Sequence, residues 1–591
     1  MTRPLRRAAW VALVIVLLSL VWAAWRLNSA RQHLVAARGE LASARESLLQ
    51  RDVTTARPAL DAASRQTRAA RSVAQDPVVW AWAHVPLLGN NAEVVRRVAI
   101  DADEIARGVL PDALAAAEEL NPRRLRDASG AFNVDAIRRA EPGVARASVR
   151  MARIATDTRR FPRHLLVPQV ASARDEFALE ASKLDTALQN AADGVRVAPT
   201  FLGAGKPRRW FVAVQQFGES RGTGGIIGGF AVLETSNGRL RVSQHGSNAD
   251  LRSVTVSGKS VSAEFRGRYE LQGSLEIWPN LNLSPDFPSV ASLIREKWAA
   301  QGGGSLDGVI GLDARSLQLL LKGGPPLDIA GQSVPPSELE AFLSVGQYRG
   351  IAPGPRGLLQ RKDALSDAAS TVLGSLAEGR GDSEALLRGV VDAVSSGHVR
   401  FEATDASVHR VLARTGLNGA LPSGPAPVAY AVVNNASGGK LDYWLDRSIS
   451  YRAGACEGRR RESTISVSLL NRAPALTQIP PYVSNREADG TITQSRTGRV
   501  LLEVYGTPGS VLVAAELDGR AVSTVQGRTV TELEASEEGG LPVWQLLVDT
   551  PPDRATVFTL HLSEPVVGGS ARLPEQPLAR PLTRDVQVPV C

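Results

Sequence analysis

The chain is short of the side chains from which metal centres and thiol chemistry are usually assembled. Its 591 residues include only two cysteines, Cys456 and Cys591, and seven scattered histidines. Isolated thiols without histidines at ligand spacing exclude a zinc-finger type of site. Aromatic residues make up 5% of the chain. No clustered basic stripe with interleaved aromatics is present, which excludes a nucleic-acid partner. The net charge of +8 is modest, and its arginines alternate with acids, as across Arg31–Arg71, in the manner of a solvated helix face. The 53 glycines and 35 prolines form no collagen-like or mucin-like run. At 43% hydrophobic and 22% charged, the composition is that of a folded chain rather than a disordered one. The length allows about three or four folding units.

What is present begins with Ala8–Trp25, AAWVALVIVLLSLVWAAW, which is uncharged, carries one hydroxyl and is long enough to cross a bilayer. Trp10, Trp22 and Trp25 lie towards its two ends, where indoles favour the membrane interface. Arg3, Arg6 and Arg7 precede it and favour a cytoplasmic tail over residues 1–7, although Arg26 and Arg31 follow closely. The rival reading is a cleaved signal peptide, for which Val21-Trp22-Ala23 offers small residues at the right spacing, but the apolar run is longer than a usual signal core. Both readings export the remainder, and the first makes the chain a single-pass protein of the cell membrane anchored by residues 8–25. In an oxidising compartment Cys456 and Cys591 are expected to form a disulfide that ties down the last residue. Two unrelated thiols are the alternative.

The rest reads as a multidomain α+β chain. Residues 26–195 form a helical stalk or bundle. Leu34, Ala37, Leu41, Ala44 and Leu48 recur at three- and four-residue intervals, with no proline before Pro58. Such an amphipathic helix packs on its own neighbours or on a partner chain, so the stalk is also a route to an oligomer. Val78–Asn91 breaks the pattern at Pro86 and Gly89, either as a membrane-surface loop anchored by Trp80 and Trp82 or as a helix–helix connection. Helical patterns resume over Ala92–Leu120, Val134–Thr156 and Val167–Ala192.

Residues 196–421 alternate strands and helices and predict an α/β core. Trp210–Val214 reads as a buried strand, and Ile226–Thr235 with Leu240–Gln244 as a hairpin across Ser236-Asn237-Gly238. Gly308–Leu312 is a strand, after which Asp313 caps a helix over Ala314–Leu321 that stops at Gly323 and Gly324. Ser337 and Glu340 are spaced as a capping box, and Leu358–Leu376 is a longer amphipathic helix. Beyond the Pro-rich link Leu421–Pro427, residues 427–591 are mostly extended. Strands over Ala429–Val433, Thr464–Leu470, Arg499–Val504, Val511–Ala515, Val543–Val548 and Thr556–Leu562 are spaced as in a β-sandwich.

The most unusual segment is Gln215–Gly229, QQFGESRGTGGIIGG. It joins Glu219 and Arg221 to a run of glycines whose backbone amides can approach an anion. Arginine offers a planar fork suited to phosphate or carboxylate. It lacks the Gly-Lys-Ser/Thr ending of a P-loop, and the segment after Gly225 reads as strand, which excludes the dinucleotide fingerprint. The alternative is a tight structural turn with an internal Glu219–Arg221 ion pair. Asp286, between Pro285 and Phe287, is a metal ligand, a base or an Asx-turn acceptor, and Lys440 pairs with Asp442 in a strand turn.

Phe217, Gly218, Glu219, Arg221, Thr223, Gly224, Gly225, Ile226, Ile227 and Gly228 stand in the arrangement of a motif, Asn-Ala-Glu-x-Arg-x-Thr-Gly-Gly-Phe-Ile-Gly. That motif marks a bacterial, largely actinobacterial, family known as domain of unknown function 4012, which the chain resembles. Phe217-Gly218 replaces the family's Asn-Ala. Asn282–Pro288 (NLSPDFP), Asp307–Asp313 (DGVIGLD), Gly324-Pro325, Asn434–Trp444 (NNASGGKLDYW) and the Val85–Gly89 loop fit as well. The family name implies no reaction.

The order of strand, Arg-bearing turn, strand and DGVI unit is also similar to the LytR-CpsA-Psr family, membrane-anchored enzymes that move glycopolymers from a polyprenyl-pyrophosphate lipid onto the cell wall, usually with Mg²⁺. On that resemblance Arg221, Asp286 and Arg361 are the candidate catalytic residues. Glu219, Arg221, Thr223, Gly224, Gly225 and Arg356 are then the ligand contacts, with Asp307 and Asp313 in the strand leading to Gly323–Pro325. Arginine forks neutralise pyrophosphate charge, and a metal stabilises the leaving group. Gly222-Thr223 stands where that family has Ser-Asp after its arginine. The implied role is in envelope or exopolysaccharide biogenesis, binding a polyanionic or lipid-linked glycan or cell-wall polymer and either holding or transferring it. The rival is a non-enzymatic scaffold.

Overall fold

The computed structural model describes residues 3–49, 53–86, 89–121, 125–127, 129–329, 331–349, 370–371, 373–374, 383–484, 493–522 and 533–591. The chain divides into two compact units. One holds residues 1–125 and 133–199, and the other holds 126–132 and 200–591.

The first unit is helical. Helix α1 runs unbroken over Arg3–Leu49, followed by α2 (Val53–Ala74), α3 (Pro77–Ala83), α4 (Asn90–Glu104), α5 (Leu110–Glu119), α6 (Val134–Thr158) and α7 (Pro168–Phe201). No helix end falls at Trp25, because neither glycine nor proline interrupts α1 there. Its stretch Val14–Ser43 is long and apolar enough to cross a membrane, with mean hydropathy 1.2 and 11% of that window buried. Ala23, Ala30 and Ala37 are buried at seven-residue spacing, as are Ala63 and Ala70 on α2. Small side chains at heptad spacing let the two helices lie close. Pro58 falls inside α2 without ending it, since it sits near the start, where a missing N–H is tolerated. A short π-helical stretch, Ile105–Val109, joins α4 to α5. It brings Arg107 onto the fully buried Asp103, which Arg71 also reaches at 3.0 Å.

The second unit is built on sheets. Strands β1 (Arg208–Arg221), β2 (Gly224–Ser236), β3 (Arg239–Ser247), β4 (Gly308–Asp313) and, farther along, Val399–Ala403 form a five-stranded sheet. Between β4 and the last of these, Leu327–Ile329 (β5) and Gln332–Val334 (β6) make a small hairpin, so Val399–Ala403 is β7. The order is β3-β2-β1-β4-β7, with β1 and β4 parallel and the other pairs antiparallel. The turn between β2 and β3 places Asn237 and Gly238 at φ 45° and 84°, the left-handed pair expected of a two-residue hairpin. Helices α8 (Ala263–Tyr269) and α9 (Phe287–Ala300) cover one face. Their Phe265, Trp298 and Val290 share a core with Phe211, Phe230 and Trp278.

Ten further strands follow: β8 (Ala429–Asn435), β9 (Leu445–Ala453), β10 (Arg460–Asn471), β11 (Gly498–Gly506), β12 (Val511–Leu517), β13 (Arg520–Ala521), β14 (Glu534–Glu538), β15 (Leu541–Thr550), β16 (Ala555–Pro565) and β17 (Leu582–Gln587). They pair as a six-stranded sheet, β13-β12-β16-β10-β9-β17, and a four-stranded sheet, β14-β15-β11-β8. Six of these strands match the expected extended runs. In β9 and β10 buried residues alternate with less buried ones, the period-2 signature of a sheet with one face in the core. Cys456 and Cys591 are joined in a disulfide, Cα to Cα 5.6 Å, so the last residue is held to the turn before β10.

The Leu421–Pro427 link does not separate two bodies, for residues 200–591 form one unit. A buried polar cluster explains why. Arg268 of α8 pairs with Glu503 of β11 and reaches Glu538 of β14 at 3.3 Å. Tyr269, Tyr505 and Ser284 donate hydroxyls to Glu538 at 2.8, 2.7 and 2.6 Å, and Asn434 donates to Glu503 at 3.2 Å. Removing one member of such a cluster strands its partners away from water. Two other expectations are corrected. Ser337 falls in a 3₁₀ turn, Pro336–Glu338, and the helix Leu339–Ser344 begins without a side-chain cap, so no capping box forms. Glu340 instead pairs with Arg315 at 2.6 Å. The helix expected over Leu358–Leu376 lies mainly outside the described residues.

Burial pushes the Glu503 carboxyl up to about 7, against the pull of Arg268. Burial likewise lifts Asp442 to about 6, despite its hydrogen bonds from Ser220 and Asn435. A carboxyl held above its unfolded value takes up a proton on folding, so stability falls as pH rises between about 4 and 7. The melting temperature of the purified chain should therefore be higher at pH 5 than at pH 7.5, and Glu503→Gln should flatten part of that slope in calorimetry. The disulfide closes a loop of 135 residues. Cys456→Ser should cost about 2–4 kcal/mol in denaturant melts, with reduction of the wild type producing the same loss.

Candidate functional site

The glycine-rich segment is the end of a hairpin rather than a loop. β1 and β2 stay paired out to Arg221↔Gly224, which leaves Gly222-Thr223 as the turn. The register shift between Val214 and Gln215 leaves Gly228 extra on β2, and that between Gln216 and Ser220 accommodates the extra residues on β1. The glycines are there for close approach. A Cβ on Gly222 would be driven into the Leu283–Ser284 backbone, and one on Gly225 into the peptide of Gln216. Gly224 has φ 139°, which L side chains rarely adopt. Thr223 Oγ1 accepts from Gln215 and Asn282 at 3.0 and 2.9 Å.

Arg221 does not face an open site. It is buried, and its guanidinium donates to the carbonyls of Pro279 (3.0 Å), Ser220 (2.9 Å) and Asn435 (3.3 Å) and to Asn280 Oδ1 (3.3 Å). Burial lowers its pKa, partly offset by Glu219 and Asp442. Glu219 forms an ion pair with the buried Lys440, so the expected Lys440–Asp442 pair is replaced. Asp442 accepts from Ser220 N and Asn435 Nδ2, both at 2.9 Å. These contacts fasten the end of β1 to the segment after β8.

Asp286 caps α9, accepting from Ser289 N at 3.2 Å and Ser289 Oγ at 2.6 Å, and its other oxygen takes Leu421 N at 3.1 Å. It is the turn acceptor rather than a base. Asp307 is engaged by Arg208 and by the Arg209 amide. Asp313 caps Ala314–Leu320 in a reciprocal capping box with Ser316 and lies 2.6 Å from His398 Nδ1. Arg356 and Arg361 lie outside the described residues. Among the described residues no three His, Cys, Asp or Glu side chains converge as a metal-binding group. Asp286, Asp307 and Asp313 are each committed to framework hydrogen bonds, and no metal-dependent step is derived from them.

A cavity of about 130 Å³ does open beside the turn, lined by Gly222, Thr223, Pro285, Arg400, Tyr430 and Glu575 among others. Arg400 stands on β7 opposite Gly311 of β4. Its stem runs past Gly419, where a Cβ would collide with it. Protein surrounds the guanidinium on most sides, and this burial lowers its pKa against the pull of Tyr430, Asp313 and Glu575. Among the described residues neither the Arg400 guanidinium nor the Tyr430 hydroxyl has a hydrogen-bond partner. Burial pushes the Tyr430 phenol up to about 12, so it stays a proton donor at neutral pH. Burial alone would raise Glu575, but the Leu582 amide (2.9 Å) and Arg584 (2.7 Å) outweigh it and hold the carboxylate below the usual range. The wall thus carries one unpartnered cation, one unpartnered donor, and an acid already neutralised by Arg584.

Of the residues singled out in the sequence, Thr223 lines this cavity, while Glu219, Arg221 and Asp286 serve the framework around it. Arg400 and Tyr430 were missed. Arg400 sits in an ordinary strand, Val399–Ala403, and only the glycine at 419 hints that something must pass close by.

The close approach at the turn is testable. Gly222→Ala should lower the melting temperature markedly, since backbone rather than a flexible side chain would have to move. Gly267→Ala, on the exposed face of α8 with nothing within 4 Å, should be neutral or slightly stabilising.

No curated protein and no solved structure matches the chain. The model of the family described as Protein of unknown function (DUF4012) matches residues 205–348, and by that match, on the Gly-rich hairpin, the NLSPDFP turn and the DGVIGLD strand, this segment of the chain belongs to that family.

Proposed function

We propose that the chain is a membrane-anchored protein of the cell envelope whose outward portion holds an acidic group, a phosphate or carboxylate borne on a glycan, in the Arg400–Tyr430 cavity. The observation that carries this is the Arg400 guanidinium, half-buried in the wall of the cavity and without an internal acceptor among the described residues. A partly desolvated charge without a protein counterion favours an anion that arrives from outside. Gly419 clears its path. The volume suits a small group, because sites for drug-sized ligands run to about 300 Å³ and more. The outward placement is supported by Arg3, Arg6 and Arg7 ahead of the apolar run and by the Cys456–Cys591 pairing.

Holding rather than transferring is the reading favoured, since Arg221, Asp286, Asp307 and Asp313 are consumed in framework contacts. The same observation lends weight to the scaffold alternative, in which the motif serves folding alone. The two differ at Arg400. Detergent-solubilised full-length protein should gain stability with phosphate or glucuronate at high excess, by about 2.7 kcal/mol at a hundredfold over Kd, and not with glucose. Arg400→Gln should lose that gain without altering the ligand-free melt by more than a few degrees. Equal responses to glucuronate and glucose, or a gain that survives in the Arg400→Gln variant, would leave the scaffold reading in possession.

A further inference from the structure

We infer that the tip of the helical unit, made by α3 and the Arg159–Val167 loop, is a seating surface that rests in the headgroup region of the bilayer crossed by α1. It depends on α1 spanning, and not on what the Arg400 cavity binds.

The placement comes from contacts within the helical unit. Asp76, which caps α3, also accepts from Trp22 Nε1 and Arg26 Nε of α1, each at 3.2 Å. At the other end of α3, Trp82 Nε1 donates to Ser19 Oγ at 3.2 Å. The short helix therefore runs back along α1, from the level of Trp22–Arg26 to that of Ser19. Six residues of helix separate Ser19 from Trp25, so the tip reaches about 9 Å below the end of the apolar run. Interfacial elements bury their apolar faces by about 5–10 Å.

A second set of contacts brings the α6–α7 loop to the same level. Asn90 and Asn91 donate to the carbonyls of His164 and Leu165 at 2.9 and 3.0 Å, and Asn91 accepts from Val167 N at 2.9 Å. Farther along α7, Glu176 pairs with Arg38 at 2.7 Å. Arg38 lies about 20 Å beyond Trp25 on α1, and Val167 about 14 Å back from Glu176, which returns Val167 to within about one turn of the membrane boundary.

What the tip presents is suited to lipid. Trp80, Leu165 and Val167 are 54%, 63% and 47% exposed. Leu165 adopts φ 56°, uncommon for a bulky residue. The three asparagine contacts hold it there with its side chain outward. Arg159 and Arg163 of the same loop have no side-chain hydrogen-bond partner among the described residues and line a cleft with Arg174 and Asp175 of α7. Apolar side chains with such cations in the same loop match the boundary between acyl chains and anionic headgroups.

The test uses full-length protein in phosphatidylethanolamine–phosphatidylglycerol vesicles, carrying a polarity-sensitive fluorophore at one introduced thiol. The two native cysteines are bonded to each other and take no label. Labels go at Leu165→Cys, at Leu18→Cys in the span, and at Leu179→Cys. Leu179 is 55% exposed but stands about 17 Å along α7. Nitroxide lipids should quench Leu18→Cys and Leu165→Cys at least twofold and leave Leu179→Cys unchanged, while aqueous iodide does the opposite. Quenching at Leu18→Cys without quenching at Leu165→Cys overturns the seating surface and leaves the anchor. Absence of quenching at both removes the anchor and the seating surface together. Quenching at Leu165→Cys that is equal in vesicles lacking phosphatidylglycerol overturns the assignment of Arg159 and Arg163 to headgroups.

Discussion

The second unit depends on one close approach, the backbone of the Gly222-Thr223 turn pressed against that of Leu283 and Ser284. Neither surface has room for a side chain at the contact, so the hairpin of β1 and β2 can seat only if glycine stands at 222. Once seated, the turn fixes its surroundings. Asn282 reaches Thr223 and the Gly225 carbonyl, both at 2.9 Å, and Ser284 is aimed at Glu538. Gln576 donates to the Arg221 carbonyl at 2.7 Å and to that of Val433 at 2.8 Å. Segments separated by hundreds of residues thus share hydrogen bonds at a single point.

That arrangement explains why so many ionisable groups in and around the motif are engaged with one another. Glu219, Lys440, Arg268, Glu503 and Arg221 are buried or nearly so, and each meets a partner drawn from another part of the chain. A buried pair adds little net stability relative to an apolar contact of the same volume. Its value here is in register: a misplaced strand would leave a charge without its counterion, at several times the cost of a misplaced leucine. The polar cluster around Arg268 acts in the same way on α8, β11 and β14.

Much of the framework was legible in the sequence because it is written in local signals. The Asn237-Gly238 turn, the Asp313 cap and the alternating strands after Pro427 each follow from residues within a few positions of one another. The apolar run announced α1, although its continuation to Leu49 hides where the membrane would end. The Gly-rich segment stayed open between two readings because glycine admits two explanations, an approaching ligand or an approaching backbone, and only the fold supplies Leu283. Arg221 was chosen for its motif, whereas Arg400 carries no local mark. Its lack of a partner is a property of the assembled unit, and no window of sequence records it.

The contrast between those two arginines carries the functional argument. Arg221 has four acceptors, three of them peptide carbonyls, arranged around a planar fork. An anion would have to displace these bonds and would gain little by doing so. Arg400 is half-buried, with Glu575 beside it committed to Arg584 and a phenol next to it that remains a donor. On the proposed reading, an incoming phosphate or carboxylate adds charge-assisted hydrogen bonds without first stripping the arginine of protein partners. That reading favours a small acid over a neutral hydroxyl group.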